Sequence, residues 1–209
     1  MSLDETLAFQ SYETTDPDVR LMLRVRDDDD AEAFEELVQR YQVRLLTILQ
    51  HLTSQRDQAE DLAQEVFMRV YRARTNYAPQ AKFSTWLFTI ANNVANNALR
   101  SQSRRKESAL PGGESGPQQL EDLAPAPSGA TPTRLLANAE TNEMVRQAIR
   151  ALNERQRIAL LLSKFEHMSY AEIAETMDLS VQAVKSLLSR ARDNLRTLLG
   201  PYMREGTRP

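Results

Sequence analysis

Ser169-Tyr-Ala-Glu-Ile-Ala-Glu-Thr-Met-Asp-Leu-Ser-Val-Gln-Ala-Val-Lys-Ser-Leu-Leu-Ser-Arg-Ala-Arg-Asp-Asn-Leu-Arg-Thr-Leu-Leu199 is the stretch whose reading decides the fold. Ser169 followed three residues later by Glu172 is a capping-box pattern, which opens a short helix. Ile173, Ala174 and Met177 give that helix one apolar face. Asp178-Leu179-Ser180 breaks the pattern, and Ser180 suits the N-cap of a second helix. There Val184, Leu187, Leu188, Ala191, Leu195 and Leu198 recur at three- and four-residue steps. Gly200-Pro201 is expected to stop it. Two short helices across a tight turn, the second longer and basic, form the pattern of a helix-turn-helix.

The side opposite the apolar stripe carries Gln182, Lys185, Ser186, Ser189, Arg190, Arg192 and Arg196. Cations neutralise phosphates, and Gln and Ser near a helix start reach base edges in a major groove. Ser180, at the first turn, belongs to the same candidate duplex-reading set. An ordinary solvated amphipathic helix would look similar, so the rest of the chain has to decide.

The chain of 209 residues has room for one or two domains with real cores. It contains no Cys, which excludes a disulfide framework, a thiol nucleophile and a Cys-based zinc site. No apolar run approaches the roughly 18 residues needed to span a bilayer, so no membrane insertion and a cytoplasmic location are expected. The net charge of −3 is unevenly spread. Residues 1–36 hold twelve acids and three Arg, a balance of −9, while the remainder holds seventeen acids and twenty-three bases, a balance of +6. An acidic head on a basic body suits a body that meets a polyanion. All six Gly lie at or beyond position 112, so nothing earlier can form a Gly-rich phosphate loop. His51 and His167 are the only His, and neither lies in a metal-ligand spacing. No Ser/His/Asp set can be argued either, so neither an enzyme nor a cofactor is expected.

Periodicity predicts an all-α chain. Residues 1–17 read as an acidic loose tail, followed by a helix over 18–26. Asp27 to Asp30 reads as a solvated turn whose last Asp caps the next helix, rather than as a cation loop. A helix over 31–52 follows, then one from a capping pair Asp57/Glu60 to about residue 74. Its outer side shows Asp61, Gln64, Glu65, Arg69 and Arg72. After a loop over 76–82, a fourth helix carries Trp86, Leu87, Ile90, Ala91, Val94, Ala95 and Ala98 on its apolar face, with Trp86 read as core. Asn92, Asn93, Asn96 and Asn97 sit mid-helix, where each costs roughly half a kcal/mol relative to Ala. Arg100, Arg104, Arg105 and Lys106 continue that side. With Asn76, Lys82 and Phe83 at its start, this surface offers aromatics, amides and cations, as a single-strand binder requires.

The composition then changes. Between 107 and 133 fall five of the nine Pro and four of the six Gly, with four acids and no Lys or Arg. This is a flexible acidic linker, placed at 107–137; as a coil it spans roughly 30 Å and stretched roughly 90 Å. Beyond it, Met144, Val145, Ala148, Ile149 and Leu152 mark a helix. Asn153 and Gln156 cap another, carrying Ile158, Leu161, Leu162 and Phe165. These support the helix-turn-helix within a C-terminal domain over 138–200, with a frayed tail over 201–209. The N-terminal domain spans 18–106.

Three segments in this order resemble the extracytoplasmic-function (ECF) group of bacterial sigma factors, which keep the second and fourth regions of larger sigma factors. They are Asp57-Gln-Ala-Glu-Asp-Leu-Ala-Gln-Glu-Val-Phe-Met-Arg-Val-Tyr-Arg72, Phe83-Ser-Thr-Trp-Leu-Phe-Thr-Ile-Ala-Asn-Asn-Val-Ala-Asn-Asn97, and the helix-turn-helix from Met168 to Arg192. The resemblance implies two small helical domains and an RNA polymerase sigma factor. Asp61, Gln64 and Glu65 would dock on the clamp helices of the largest catalytic subunit of core polymerase. The segment from Asn76 to Arg105 would capture the non-template strand of the −10 element, and the second helix of the helix-turn-helix would enter the −35 major groove. Promoter DNA and core RNA polymerase are then the expected partners; in many family members an anti-sigma factor is another. Gln182-Ala183 departs from the Gly or Thr often found before Val-Lys-Ser, so no base preference at −35 carries over. The competing readings are a polymerase-independent helix-turn-helix regulator and a helical interaction protein that touches no DNA.

Overall fold

The computed structural model describes residues 15–53, 55–108 and 132–205. Most of the expected tail over 1–17, most of the linker and the last four residues lie outside them; the end of that tail, Asp16 and Pro17, instead opens the first helix. Eight α-helices are described: α1 (Pro17–Asp28), α2 (Ala31–Thr53), α3 (Arg56–Ala73), α4 (Phe83–Ser108), α5 (Pro132–Ala151), α6 (Glu154–Phe165), α7 (Tyr170–Met177) and α8 (Val181–Glu205). A short 3-10 turn (Arg74–Asn76) follows α3.

Asp16 starts α1. Its carboxylate accepts from the Asp18 N–H at 2.9 Å, and Pro17 occupies the first helical position, where its missing N–H costs nothing. The helix ends at Asp29 in the left-handed region, φ 51°. Asp27 and Asp28 extend α1 two residues past its expected end, and of the acidic run only Asp29 and Asp30 form the turn. Asp30 accepts from the Ala33 N–H at 3.0 Å and caps α2 while pairing with Arg24. Asp27 pairs with Arg26, and Asp29 takes both Arg74 and the Tyr71 hydroxyl.

α2 supplies the first core stripe: Leu37, Tyr41, Leu45, Ile48, Leu49 and Leu52 are all buried. The predicted capping box at Asp57 does not form. α3 begins one residue earlier, with Gln55 as a cap that makes no side-chain bond. Asp57 therefore sits inside the first turn, and Glu60 pairs with Arg56 instead.

In the second half the three predicted caps all form. Asn153 accepts from Gln156 N–H at 2.9 Å. Ser169 and Glu172 make the reciprocal capping box, and Ser180 accepts from Ala183 N–H at 3.2 Å. Asp178 takes the left-handed conformation that turns α7 into α8. Two boundaries differ from expectation. α5 begins at Pro132, inside the span assigned to the linker, and α8 runs through Gly200-Pro201 to Glu205. Proline's φ suits a helix, and the single hydrogen bond it removes lies close to the helix end.

The two halves are packed together. Ile48, Leu49, Leu52, Phe88 and Ala91 from the first half meet Ile158 and Leu162 from the second across an apolar seam. The buried residues of both halves form one continuous cluster. Polar ties flank the seam. Arg44 pairs with Glu166, whose side chain is only 1% exposed. Arg157 donates to the carbonyls of His51 and Leu52 at 3.3 and 3.4 Å, capping the end of α2 from the other half. The His51 ring lies 5.5 Å from that of Phe165.

Candidate nucleic-acid interface

Three polar surfaces lie on three helices. The first is the outer side of α3. Asp61 and Gln64 are exposed, and Glu65 is half-exposed and paired with Arg69 at 2.7 Å. That pairing holds the Glu65 carboxyl below the usual carboxylate range. Met68, four residues after Gln64, is 49% exposed among them. Sequence reading passed over it; its signal was an apolar residue outside the core stripe of Ala63, Val66 and Val70.

The second surface is built on the start and side of α4. Asp16 also accepts from the Phe83 N–H at 3.1 Å, so one carboxylate sits at the N-termini of α1 and α4 together, where the helix dipoles favour it. Arg26 donates to the Tyr77 carbonyl at 3.0 Å and fixes the loop before α4. Tyr77, Phe83 and Trp86 stack into that corner, with Tyr77 and Trp86 rings 4.7 Å apart. Phe83 is 0% exposed, which corrects its assignment as a strand contact: its ring is a core group against Tyr41, and no base can reach it. Trp86 packs partly buried against the core, as read from the sequence.

Along α4, Asn93, Asn97, Arg100 and Arg104 are exposed, as are Asn76 and Lys82 ahead of it. Asn92 and Asn96 are half-buried and joined by a 3.3 Å amide–amide hydrogen bond. The Arg105 side chain lies outside the described residues. The structure thus brings most of the predicted strand-binding residues to the surface along α4, and α7 engages part of that side. Asn92 donates to the Thr176 carbonyl on α7 at 3.4 Å, and Lys82 pairs with Glu172 at 2.8 Å. Between α4 and the second half lies a cleft of about 430 Å³, lined among others by Asn93, Asn96, Arg100, Arg155, Glu154 and Glu175.

The third surface is the first three turns of α8. Gln182, Lys185, Ser189, Arg190 and Arg192 are exposed along it, while Val184, Leu188 and Ala191 are buried on the reverse. Ser186 is half-buried and donates to the Gln182 carbonyl at 3.0 Å. The Ser180 hydroxyl is engaged as the helix cap. Arg192 reaches the Tyr170 hydroxyl at 3.4 Å, and Arg196 pairs with Asp193. Here Gln182, Lys185, Ser189 and Arg190 face solvent, whereas Asn92 and Lys82 on the α4 side are engaged by α7.

His51 is largely buried, and burial together with Arg146, Arg150 and Arg157 lowers its pKa to about 4, so its ring is neutral. His167 sits at positive φ in the turn before α7. Among the described residues, no group of three or more His, Cys, Asp or Glu is arranged to hold a metal, and no helix is long and apolar enough to cross a membrane.

Comparison with known proteins matches residues 37–105 to Sigma-70 region 2 and residues 142–195 to Sigma-70 region 4. The chain is 34% identical to the RNA polymerase sigma-H factor of Pseudomonas aeruginosa over 92% of its length and 98% of the relative's. It is 32% identical to the ECF RNA polymerase sigma-E factor of Escherichia coli over 84% of its length and 91% of the relative's. Two solved structures share the fold. CnrH in complex with the cytosolic domain of CnrY gives a TM-score of 0.64 at 23% identity, covering 88% of this chain and 99% of that one. The sigma factor RpoE of Bartonella quintana, solved with the anti-sigma factor NepR, gives 0.63 at 24% identity, covering 81% and 98%. With both regions in order and relatives matched nearly end to end, the chain belongs to the ECF group of RNA polymerase sigma factors.

Proposed function

We propose that this chain binds core RNA polymerase in the cytoplasm and directs it to promoters without catalysing a reaction itself. α3 meets the polymerase clamp helices through Asp61, Gln64 and Glu65. α4 and the loop ahead of it take the non-template strand of the −10 element. Lys82, Arg100 and Arg104 hold phosphates, and Asn92, Asn93, Asn96 and Asn97 with Asn76 meet unstacked bases. α8 enters the −35 major groove with Gln182, Lys185, Ser189, Arg190 and Arg192. Opening a duplex costs a few kcal/mol per unstacked base, offset by a pocket and by phosphate contacts. The observation that carries this reading is the segregation of three polar surfaces on three helices, each backed by its own buried stripe. An anti-sigma factor is a further candidate partner, since both structural neighbours were solved with a binding protein and one is named as such.

Run-off transcription with core polymerase tests the assignment, with Asn96→Ala and Arg100→Ala beside the wild type. Both variants should impair open-complex formation at least tenfold while leaving polymerase binding within about twofold. Equal loss of both activities would mean that the strand surface is misassigned. Tight duplex binding without polymerase, at symmetric half-sites, would favour a plain helix-turn-helix regulator.

A further inference from the structure

The seam between the halves places acids on the strand-binding face. Glu172 lies on α7, and its carboxylate has two partners. One oxygen accepts from the Ser169 N–H at 2.7 Å to close the capping box; the other meets the Lys82 ammonium at 2.8 Å. Burial alone would raise this carboxyl, but the bonds from Lys82 and Ser169 outweigh it and hold it low, so it stays ionised against Lys82. Glu175, one residue short of a helical turn further on, lines the cleft that Asn93, Asn96 and Arg100 also line. Next to Glu175 in the chain, the Thr176 carbonyl accepts from Asn92. An anionic oxygen on a cation, a neutral acceptor on an amide, and a second carboxylate lining the same cleft as Arg100 resemble what a nucleic-acid strand offers: phosphates and base-edge acceptors.

We infer that α7 acts as an internal stand-in for the non-template strand, with Glu172 and Glu175 in the place of phosphates. The free chain is thereby kept from single-stranded DNA until the halves separate. This rests on the strand-binding role proposed for α4. The apolar seam and the Arg44–Glu166 pair hold the halves together, and the two acids decide what α4 can bind. The α8 face remains open in the same state, so the restraint falls on one DNA surface and not on both. A partner that holds the halves apart, as core polymerase would, frees α4 at the moment the strand is to be taken.

The test uses the full chain carrying Glu172→Gln and Glu175→Gln together. Gln at position 172 still accepts the Ser169 N–H bond, so the cap survives. Glu175→Gln alone is the second variant, since no side-chain hydrogen bond of Glu175 supports the fold. The probe is a fluorescein-labelled twenty-nucleotide oligo-dT, titrated by anisotropy without polymerase. The double variant should bind roughly fivefold or more tightly than the wild type, and the single variant roughly twofold. Wild-type run-off transcription is measured in parallel. Unchanged oligo-dT affinity in a double variant with wild-type circular dichroism would overturn the stand-in. If wild type failed to support transcription, it would instead be the sigma reading that fell. A double variant that binds oligo-dT better but an unrelated duplex equally better would also overturn it, because the gain would then be general charge and not the release of α4.

Discussion

In the C-terminal half, α6, α7 and α8 each begin on a side chain three residues from the N–H it accepts: Asn153, Ser169 and Ser180. In the N-terminal half, the start of α4 is held by Asp16, 67 residues earlier. The loop before it is held by Arg26, 51 residues from Tyr77, and the end of α3 by Asp29, 45 residues from Arg74. The second half thus relies on helices that define their own starts. The first half has local caps too, at Asp16 and Asp30, but adds ties between helices distant in sequence. Loss of a local cap frays one helix, whereas loss of a distant tie displaces the corner at the start of α4, which carries the proposed strand-binding face.

The largest expected effect that would break this contrast is at Phe83. Phe83→Ala removes a fully buried ring from the corner of Tyr41, Tyr77 and Trp86 and should cost about 3–5 kcal/mol in urea denaturation. A cost below about 1 kcal/mol would show that the corner is not what holds α4. Asp16→Ala should follow at about 2–3 kcal/mol, because two helix N-termini lose one charged acceptor.

Next is the pH dependence of the seam. His51 has a pKa lowered from 6.5 to about 4 in the folded chain, by burial and then by Arg146, Arg150 and Arg157. The unfolded chain therefore takes up the proton first. The neutral-His contribution is complete above pH 6.5 and is lost as the pH falls toward 4, by about 2 kcal/mol after allowing for partial solvation of the ring. Glu166, raised by burial against the opposing Arg44, has the reverse sign and favours the folded state as its carboxyl protonates. His51→Gln should flatten the stability profile between pH 6.5 and 4; an unchanged slope would move its origin elsewhere. The smallest effect is Ser169→Ala, about 1 kcal/mol. If it matched Asp16→Ala, the distinction between local and distant fastening would have no energetic content.

The same contrast explains what could be read from the chain. Ser169/Glu172, Asn153/Gln156, Ser180 and Asp30 were legible because donor and acceptor are three residues apart and the pattern is contained in one window. Asp57/Glu60 shows the limit of that logic: the residues fit, but the helix is capped at Gln55 and starts at Arg56, which puts Asp57 inside its first turn and pairs Glu60 with Arg56. Phe83 was misassigned because an aromatic at a helix start reads alike as a stacking platform and as a core group; only its packing against Tyr41 separates them. The closing of the halves was not legible at all. Ile48, Leu49, Leu52, Ile158 and Leu162 lie on stripes that each half needs for its own core, so nothing in their spacing marks them as shared. Nor did Glu172 advertise a second partner, because its capping role already accounted for it.

Arg157 offers a consequence of a different kind. The carbonyls at the end of α2 are satisfied by a guanidinium that belongs to α6, across the seam. When the halves part, that helix end loses its clasp, and its last turn becomes free to fray. Deuterium uptake by the amides of Leu49 to Thr53 is then a built-in clock for the opening of the whole molecule, readable without a dye or an added cysteine.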